Sequence, residues 1–210
     1  MIMNKILVDG EVFILSSQDC FCEVNGNSKI YILPNINNYN LSIVLNENAN
    51  LEMYIFTNNS RENSINITSK NNTSLKVIHT FDIKDDYSFN FKNKIIGDNN
   101  ISDVLIKGVS RGLVKLNIDG DIDDSTNDNE LDERIKVLTR GGKVICSPIL
   151  QVRTKNVIAN HGNSISNIDK SALFYLESKG ISEENAIRLI EDSYLYGPFK
   201  DNEEFKNMIK

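Results

Sequence analysis

Cysteine, histidine, positive charge and long apolar runs are all scarce in this chain, and each scarcity removes a class of function. Three cysteines, Cys20, Cys22 and Cys146, are present in 210 residues. None forms a Cys-x-x-Cys pair, so neither a disulfide framework nor a zinc ribbon is supported, and reduced thiols in the cytoplasm are expected. Two histidines, His79 and His161, leave little for histidine-centred acid–base chemistry. Gly-rich phosphate loops, Gly-x-Ser-x-Gly and His-Glu-x-x-His are also missing, and no Ser or Cys nucleophile has a base nearby in sequence. Lys and Arg total 23 against 29 Asp and Glu, a net charge of -6. The lysines are scattered, so no basic stripe is available to neutralise nucleic-acid phosphates. No run approaches the roughly 18 apolar residues of a membrane span. The opening MIMNKILVDGEVFILSS is interrupted by Asp9 and Glu11 and reads as no secretory leader. A soluble cytoplasmic protein, without nucleic-acid or membrane partners, is expected.

What the chain has instead is alternation. From residue 1 to about 165, short alternating apolar runs are separated by Asn, Asp, Gly and Ser, the pattern of many short strands. Leu41–Leu45, Leu51–Ile55, Ile65–Ile67, Leu75–Phe81, Phe89–Phe91, Val104–Ile106 and Val114–Ile118 are examples. Segments starting at 42, 64 and 89 share a strand–polar turn–strand layout. Their spacing, a little above 20 residues, suits a solenoid coil, and Asn-rich turns suit corners in left-handed or Asx geometry. A stacked β-helix explains this rhythm better than a sandwich of tandem hairpins. After residue 168 the period changes. Asp169 caps a helix that stops at Gly180, with Ala172, Leu173 and Leu176 on one side. Ser182 opens a second helix through Glu191, with Ala186, Leu189 and Ile190 as its apolar face; Pro198 breaks it, and residues 201–210 make one short amphipathic turn or fray. The expected organisation is a β-helix core, 1–167, and a helical subdomain, 168–210.

Few residues stand out as sites. Asp119 to Glu130 spaces its acids as a calcium loop does, but the loop's turn position holds Asp124 instead of Gly and a strand precedes it, so a solvated acidic corner is the better reading. Cys20 and Cys22, two apart on a strand, read as small buried hydrophobes, and Cys146, in a strand ending before Pro148, as core. His79 shares a face with Leu75, Val77 and Phe81 and reads as packed. His161 differs. It follows two short runs, Ile149–Val152 and Val157–Ile158, and precedes a helix cap, so it is placed at an exposed corner where a ligand role is open.

Residues 141–192 resemble the C-terminal part of the SufB/SufD family, the scaffolds of iron–sulfur cluster assembly. The resemblance rests on Pro148-Ile-Leu-Gln-Val152, Val157-Ile-Ala-Asn-His161-Gly162, Ile168-Asp169, Ala172-Leu-Phe-Tyr-Leu176, Ser178-Lys-Gly180-Ile181 and Glu183-Glu-Asn-Ala186 with Leu189-Ile190, in that order. Residues 95–140 are less similar, and 1–90 match only in general pattern. This resemblance implies a right-handed parallel β-helix with a helical C-terminal subdomain. It implies docking of a SufC-type ABC ATPase, with Leu173, Phe174, Tyr175, Leu176, Gly180, Ile181, Ala186, Leu189 and Ile190 divided between that contact and internal packing. It implies pairing with a SufB/SufD-like chain or with a second copy as a dimer. His161 then corresponds to the SufD histidine associated with the nascent cluster at that interface.

The pattern also departs from the family. Gly162 stands where SufB-type chains have Glu, Ala159 where many SufD-type chains have Cys, and the SufB cluster-associated cysteine falls near Glu133, not at Cys146. Iron–sulfur clusters normally need several thiolates, so His161, with Cys146 as a secondary metal candidate, cannot hold one within a single chain. A transient cluster shared with a partner is what the resemblance implies, in a scaffold and not an enzyme. A carbohydrate-binding or carbohydrate-active β-helix and a cluster-free SufC-binding assembly protein are the alternatives.

Overall fold

The computed structural model describes residues 4–14, 19–34, 38–59 and 61–210. Residues 1–3 and 15–17 of the opening stretch read above as carrying no leader lie outside them. Twelve strands fall within the described residues: β1 (Asn4–Ile14), β2 (Cys20–Ile32), β3 (Asn40–Leu45), β4 (Asn50–Thr57), β5 (Glu62–Ser69), β6 (Ser74–Ile83), β7 (Tyr87–Ile95), β8 (Ile101–Ser110), β9 (Leu113–Ile122), β10 (Asn129–Thr139), β11 (Lys143–Val152) and β12 (Val157–Ser166). Their order is β11-β9-β7-β5-β3-β2-β4-β6-β8-β10-β12, with β1 beside β2. Each strand beyond β3 pairs in parallel with the strand two before it, as it must when the chain winds as a coil. The result is a β-solenoid of about five turns. Tandem hairpins would require antiparallel pairs, so the sandwich alternative falls away. β2 serves both walls, its Cys20–Val24 half pairing with β3 and its Asn27–Ile32 half with β4.

The coil is not constant. Asn40 aligns with Ser64, Ser64 with Asn90, Tyr87 with Val114 and Leu113 with Lys143, so successive steps on that wall are 24, 26, 27 and 30 residues. The period near 20 read from the sequence holds only at the start, where Cys20 aligns with Leu41.

Asparagine makes the corners. Asn48, Asn72, Asn99 and Asp128 have φ of 62°, 56°, 57° and 55°, the left-handed region that short Asn and Asp side chains tolerate. They stack. The Asn48 N–H donates to Asn71 O at 3.1 Å, Asn72 to Asp98 at 2.8 Å, Asn99 to Asn127 at 3.1 Å and Asp128 to Asn156 at 2.9 Å. Behind them the buried side chains of Asn100 and Asn129 accept the N–H groups of Thr73 and Asn100 at 2.8 and 2.9 Å. Backbone groups left over at each bend are thereby paired with the next coil.

Alternation fills the lumen with Leu41, Ile43, Met53, Ile65, Phe89, Leu116 and their neighbours. Cys20 and Cys22 are buried there, as expected. His79 is packed: its Nε2 lies 3.1 Å from Thr57 Oγ1, its ring stands edge-on to Phe89, and burial pushes its pKa down to about 3. Gly108 makes room for the Phe81 ring, which a Cβ at that position would meet at 2.3 Å.

The C-terminal segment forms α1 (Lys170–Ser178), α2 (Glu183–Tyr196), a 3-10 turn at Gly197–Phe199 and α3 (Glu203–Ile209). Asp169 caps α1 by accepting from Ser171 N at 2.9 Å, and Gly180 takes φ +82° beyond its end. Two details differ from the sequence expectation. α2 runs five residues past Glu191, because Leu195 continues its buried face, and Leu189 turns outward while Ala186, Glu191 and Leu195 are buried. Leu195, Phe199, Phe205 and Ile209 pack on Tyr31, Tyr54, Phe56, Ile78, Val109 and Leu138, a second core on the outside of the even-numbered wall. Glu191 adds an ionic clamp, bonding Arg111 Nη2 at 2.5 Å and Arg140 Nε at 2.8 Å, two arginines at successive corners.

Candidate functional site

Each lumen position of a solenoid is one row of a column that runs through all the coils. One column reads Ile30, Met53, Val77, Val104, Glu133, His161. Its first four members are buried apolar residues. The fifth is a carboxylic acid 1% exposed and the sixth a histidine 17% exposed, with His161 Nδ1 3.9 Å from Glu133 Oε2. Among the described residues neither Glu133 oxygen nor His161 Nδ1 has a hydrogen-bond partner. Burial, then the charges of Asp119 and Asp132, pushes the Glu133 carboxyl up to about 8. Gly120, on the facing wall, leaves the space this side chain uses: a Cβ there would lie 2.9 Å from Oε2.

The setting corrects the sequence reading of His161. It does not sit at a corner. β12 runs unbroken from Val157 to Ser166, and His161 is in its middle, aligned with Glu133. β11 likewise passes through Pro148 and does not stop before it. β11 is the last strand of its wall, and an edge strand tolerates a missing N–H. β11 and β12 are both edges, and Ile145, Ile149, Val152, Ile158 and Ile165 on them are exposed.

Cys146 lies in β11 beside Leu116, half-buried with Val144 against the main core, and burial raises its thiol pKa. Cys20 and Cys22 are in the half of β2 that pairs with β3, five strand spacings down the stack from β11, or about 24 Å. Among the described residues no group of three or more His, Cys, Asp or Glu side chains is assembled to hold a metal ion. The calcium-like stretch does not converge either: Asp119 and Asp121 are on β9, Asp119 3.2 Å from Lys92 Nζ and Asp121 paired with Arg153, while Asp123 accepts from Ser125 N at 3.4 Å within its own turn.

Glu133 enters the sequence reading only as the position near which the SufB cysteine falls, yet its own signal is local. Leu131, Glu133, Ile135 and Val137 share one face of β10, and an acid in an apolar register has to be explained.

On the tail, Leu173, Leu176 and Ile181 are half-buried, Ala186 is buried, and Phe174 and Tyr175 are 72% and 60% exposed. Beside them a shallow pocket of about 390 Å³ is lined by Lys107, Leu176, Leu189, Ile190, Ser193 and Tyr194, with Lys107 Nζ 3.9 Å above the Tyr194 ring. A larger polar cleft, about 1060 Å³, follows the β4–β5, β6–β7 and β8–β9 corners and is lined by none of the residues singled out from the sequence. Among the described residues no helix is long and apolar enough to cross a membrane.

Comparison with known proteins gives a family match. Residues 36–194 match the model of the family described as SUF system FeS cluster assembly, SufBD core domain. Over 60 residues the chain is 35% identical to the iron–sulfur cluster assembly protein SufD of Plasmodium falciparum, a stretch covering 28% of this chain and 4% of that protein. Over 69 residues it is 32% identical to an iron–sulfur cluster assembly SufBD family protein of Synechocystis sp., covering 33% of this chain and 15% of that one. The chain therefore spans a small part of the length of these relatives.

Proposed function

The chain belongs to the SufBD core family of the SUF iron–sulfur cluster assembly system, and from that premise we propose that it is an assembly scaffold which pairs through its last coil and docks a SufC-type ABC ATPase through its C-terminal helices. The observation that carries this reading is the state of the last coil. Among the described residues its two strands end their walls with unpaired backbone edges and exposed isoleucines, and the same coil presents His161 over the buried Glu133. Such edges are templates for a second chain, so a SufB/SufD-like partner or a second copy would bury the isoleucines and close the lumen over His161. The cluster or its iron is cargo at that junction. This chain contributes position and few ligands, and no chemistry that makes it an enzyme.

The tail supports the ATPase contact. α1 buries none of its own residues, and Phe174 and Tyr175 stand clear of the apolar pocket beside α2. Exposed aromatics of this size are frequent anchors at protein interfaces. Because α2, the 3-10 turn and α3 are fixed to the solenoid by their own core, α1 is presented on a rigid mount.

Co-purification of the full-length chain with a SufC-type ATPase tests the docking. The double variant Phe174→Ser, Tyr175→Ser is expected to lose the ATPase while keeping its fold, and equal capture by both proteins would refute the assignment. Light scattering after gel filtration tests the pairing: Ile158→Lys is expected to shift a dimer to a monomer. A wild-type chain that is monomeric alone and in the presence of a SufB-like chain would sink the interface.

A further inference from the structure

We propose that Glu133 and His161 form a nitrogen–oxygen site for one hard or borderline divalent cation, ferrous iron among them, in place of a thiolate site for a cluster. The inference rests on reading the last coil as the cargo site, and it is independent of the ATPase contact.

Donor chemistry comes first. Clusters are held by soft thiolates, whereas imidazole with carboxylate suits Fe, Mn, Co and Zn as divalent ions. Here the lumen offers an imidazole and a carboxylate. Cys146 is committed to the core beside Val144, and Cys20 and Cys22 are about 24 Å away. The residues at this end therefore do not fit a thiolate-ligated cluster.

Geometry is the second support. Nδ1 and Oε2 are 3.9 Å apart. Two bonds of about 2.0–2.2 Å each span such a gap once the two side chains draw slightly together. A hydrogen bond does not, and among the described residues both carboxylate oxygens and Nδ1 are left without partners.

Burial is the third. A carboxylate 1% exposed, with Asp119 and Asp132 adding negative potential, is costly unless a proton or a cation accompanies it. A divalent ion between Glu133 and His161 removes that cost and uses both unpartnered groups. Its remaining coordination positions face the open end, where water or a second chain can supply them.

Anaerobic titration of the full-length chain with Co²⁺, followed by its visible d–d absorption, and equilibrium dialysis with Fe²⁺ test the site. The wild type is expected to take up a single equivalent, and Glu133→Gln and His161→Ala each to weaken binding by about tenfold or more. Cys146→Ala and Asp123→Asn are expected to leave it unchanged. His161→Ala, at the open end, decides the matter if Glu133→Gln disturbs the fold. The proposal is overturned if the wild type binds neither ion, if binding survives in the double Glu133→Gln, His161→Ala chain, or if iron with sulfide gives a cluster absorbance that depends on Cys146. Lost metal binding with intact ATPase capture would remove this site and leave the docking assignment standing; the reverse would remove only the docking.

Discussion

The inner coils and the last coil are built on the same columns, yet they treat those columns in opposite ways. Ile30, Met53, Val77 and Val104 close the lumen with apolar side chains; Glu133 and His161 continue the same column with an acid and an imidazole. An inner row has a neighbour above and below, as the Glu133 row has in Val104 and His161, so a polar group there is cut off from water. The final row has a neighbour on one side only, and His161 remains partly exposed. A stacked fold can thus turn core into site by running out of stack, with no special loop.

Moving a charge inward should break that contrast most severely. Val104→Glu is expected to remove the cooperative unfolding transition or to cost about 4 kcal/mol or more, whereas His161→Val, one row beyond Glu133, should cost less than about 1 kcal/mol in thermal or urea melts. Comparable losses from the two would contradict the contrast. Next in size is the apolar packing outside the lumen: Phe205, fully buried against Tyr31 and Tyr54, should cost about 3–5 kcal/mol on replacement by Ala. A smaller loss would mean the tail is only lightly attached.

Glu133 sharpens the boundary between the regions through pH. Its carboxyl titrates at about 8 in the fold against an ordinary 4.5, so between those values the folded chain holds a proton that the unfolded chain has released. Stability therefore falls as pH rises through that window and levels off above it. In chelator-treated protein, Glu133→Gln should be more stable than wild type at pH 8.5 by about 2 kcal/mol or more, with the gap shrinking toward pH 5. Parallel pH profiles for the two chains would exclude a buried, unpaired acid. The smallest effect belongs to the corners, which both regions share. Asn72→Ala and Asp128→Ala, each at positive φ, should cost about 1 kcal/mol apiece, and Asn72→Gly much less; a large inequality between the two corners would show that the last turn is held differently.

The coil architecture was legible because alternation and asparagine punctuation are local properties. Leu41, Ile43 and Leu45 announce an inward face, and Asn48 and Asn72 announce bends. Coil length was less legible, since the steps lengthen along most of the stack and the early, shorter ones dominate the visible rhythm. His161 was legible as unusual but not as mid-strand: the Asn-His-Gly-Asn sequence reads as a turn, and only pairing with β10 keeps it extended. Glu133 was legible as an outlier of alternation, but its meeting with His161 depends on a register 28 residues apart that no local pattern states. In the tail, Asp169 and Gly180 mark α1 plainly, while Leu189 looks like core until the wall beneath α2 shows which side is covered.

The lengthening of the coils has a consequence for assembly. A stack of identical rungs can slip by one rung, or exchange a rung with another molecule, with little mismatch. Here the steps climb from 21 between Cys20 and Leu41 to 30 between Leu113 and Lys143, so a slipped stack would leave one connection short and the next slack, with every corner hydrogen bond out of line. Each rung therefore carries its own address, and the rung bearing His161 has only one place to land.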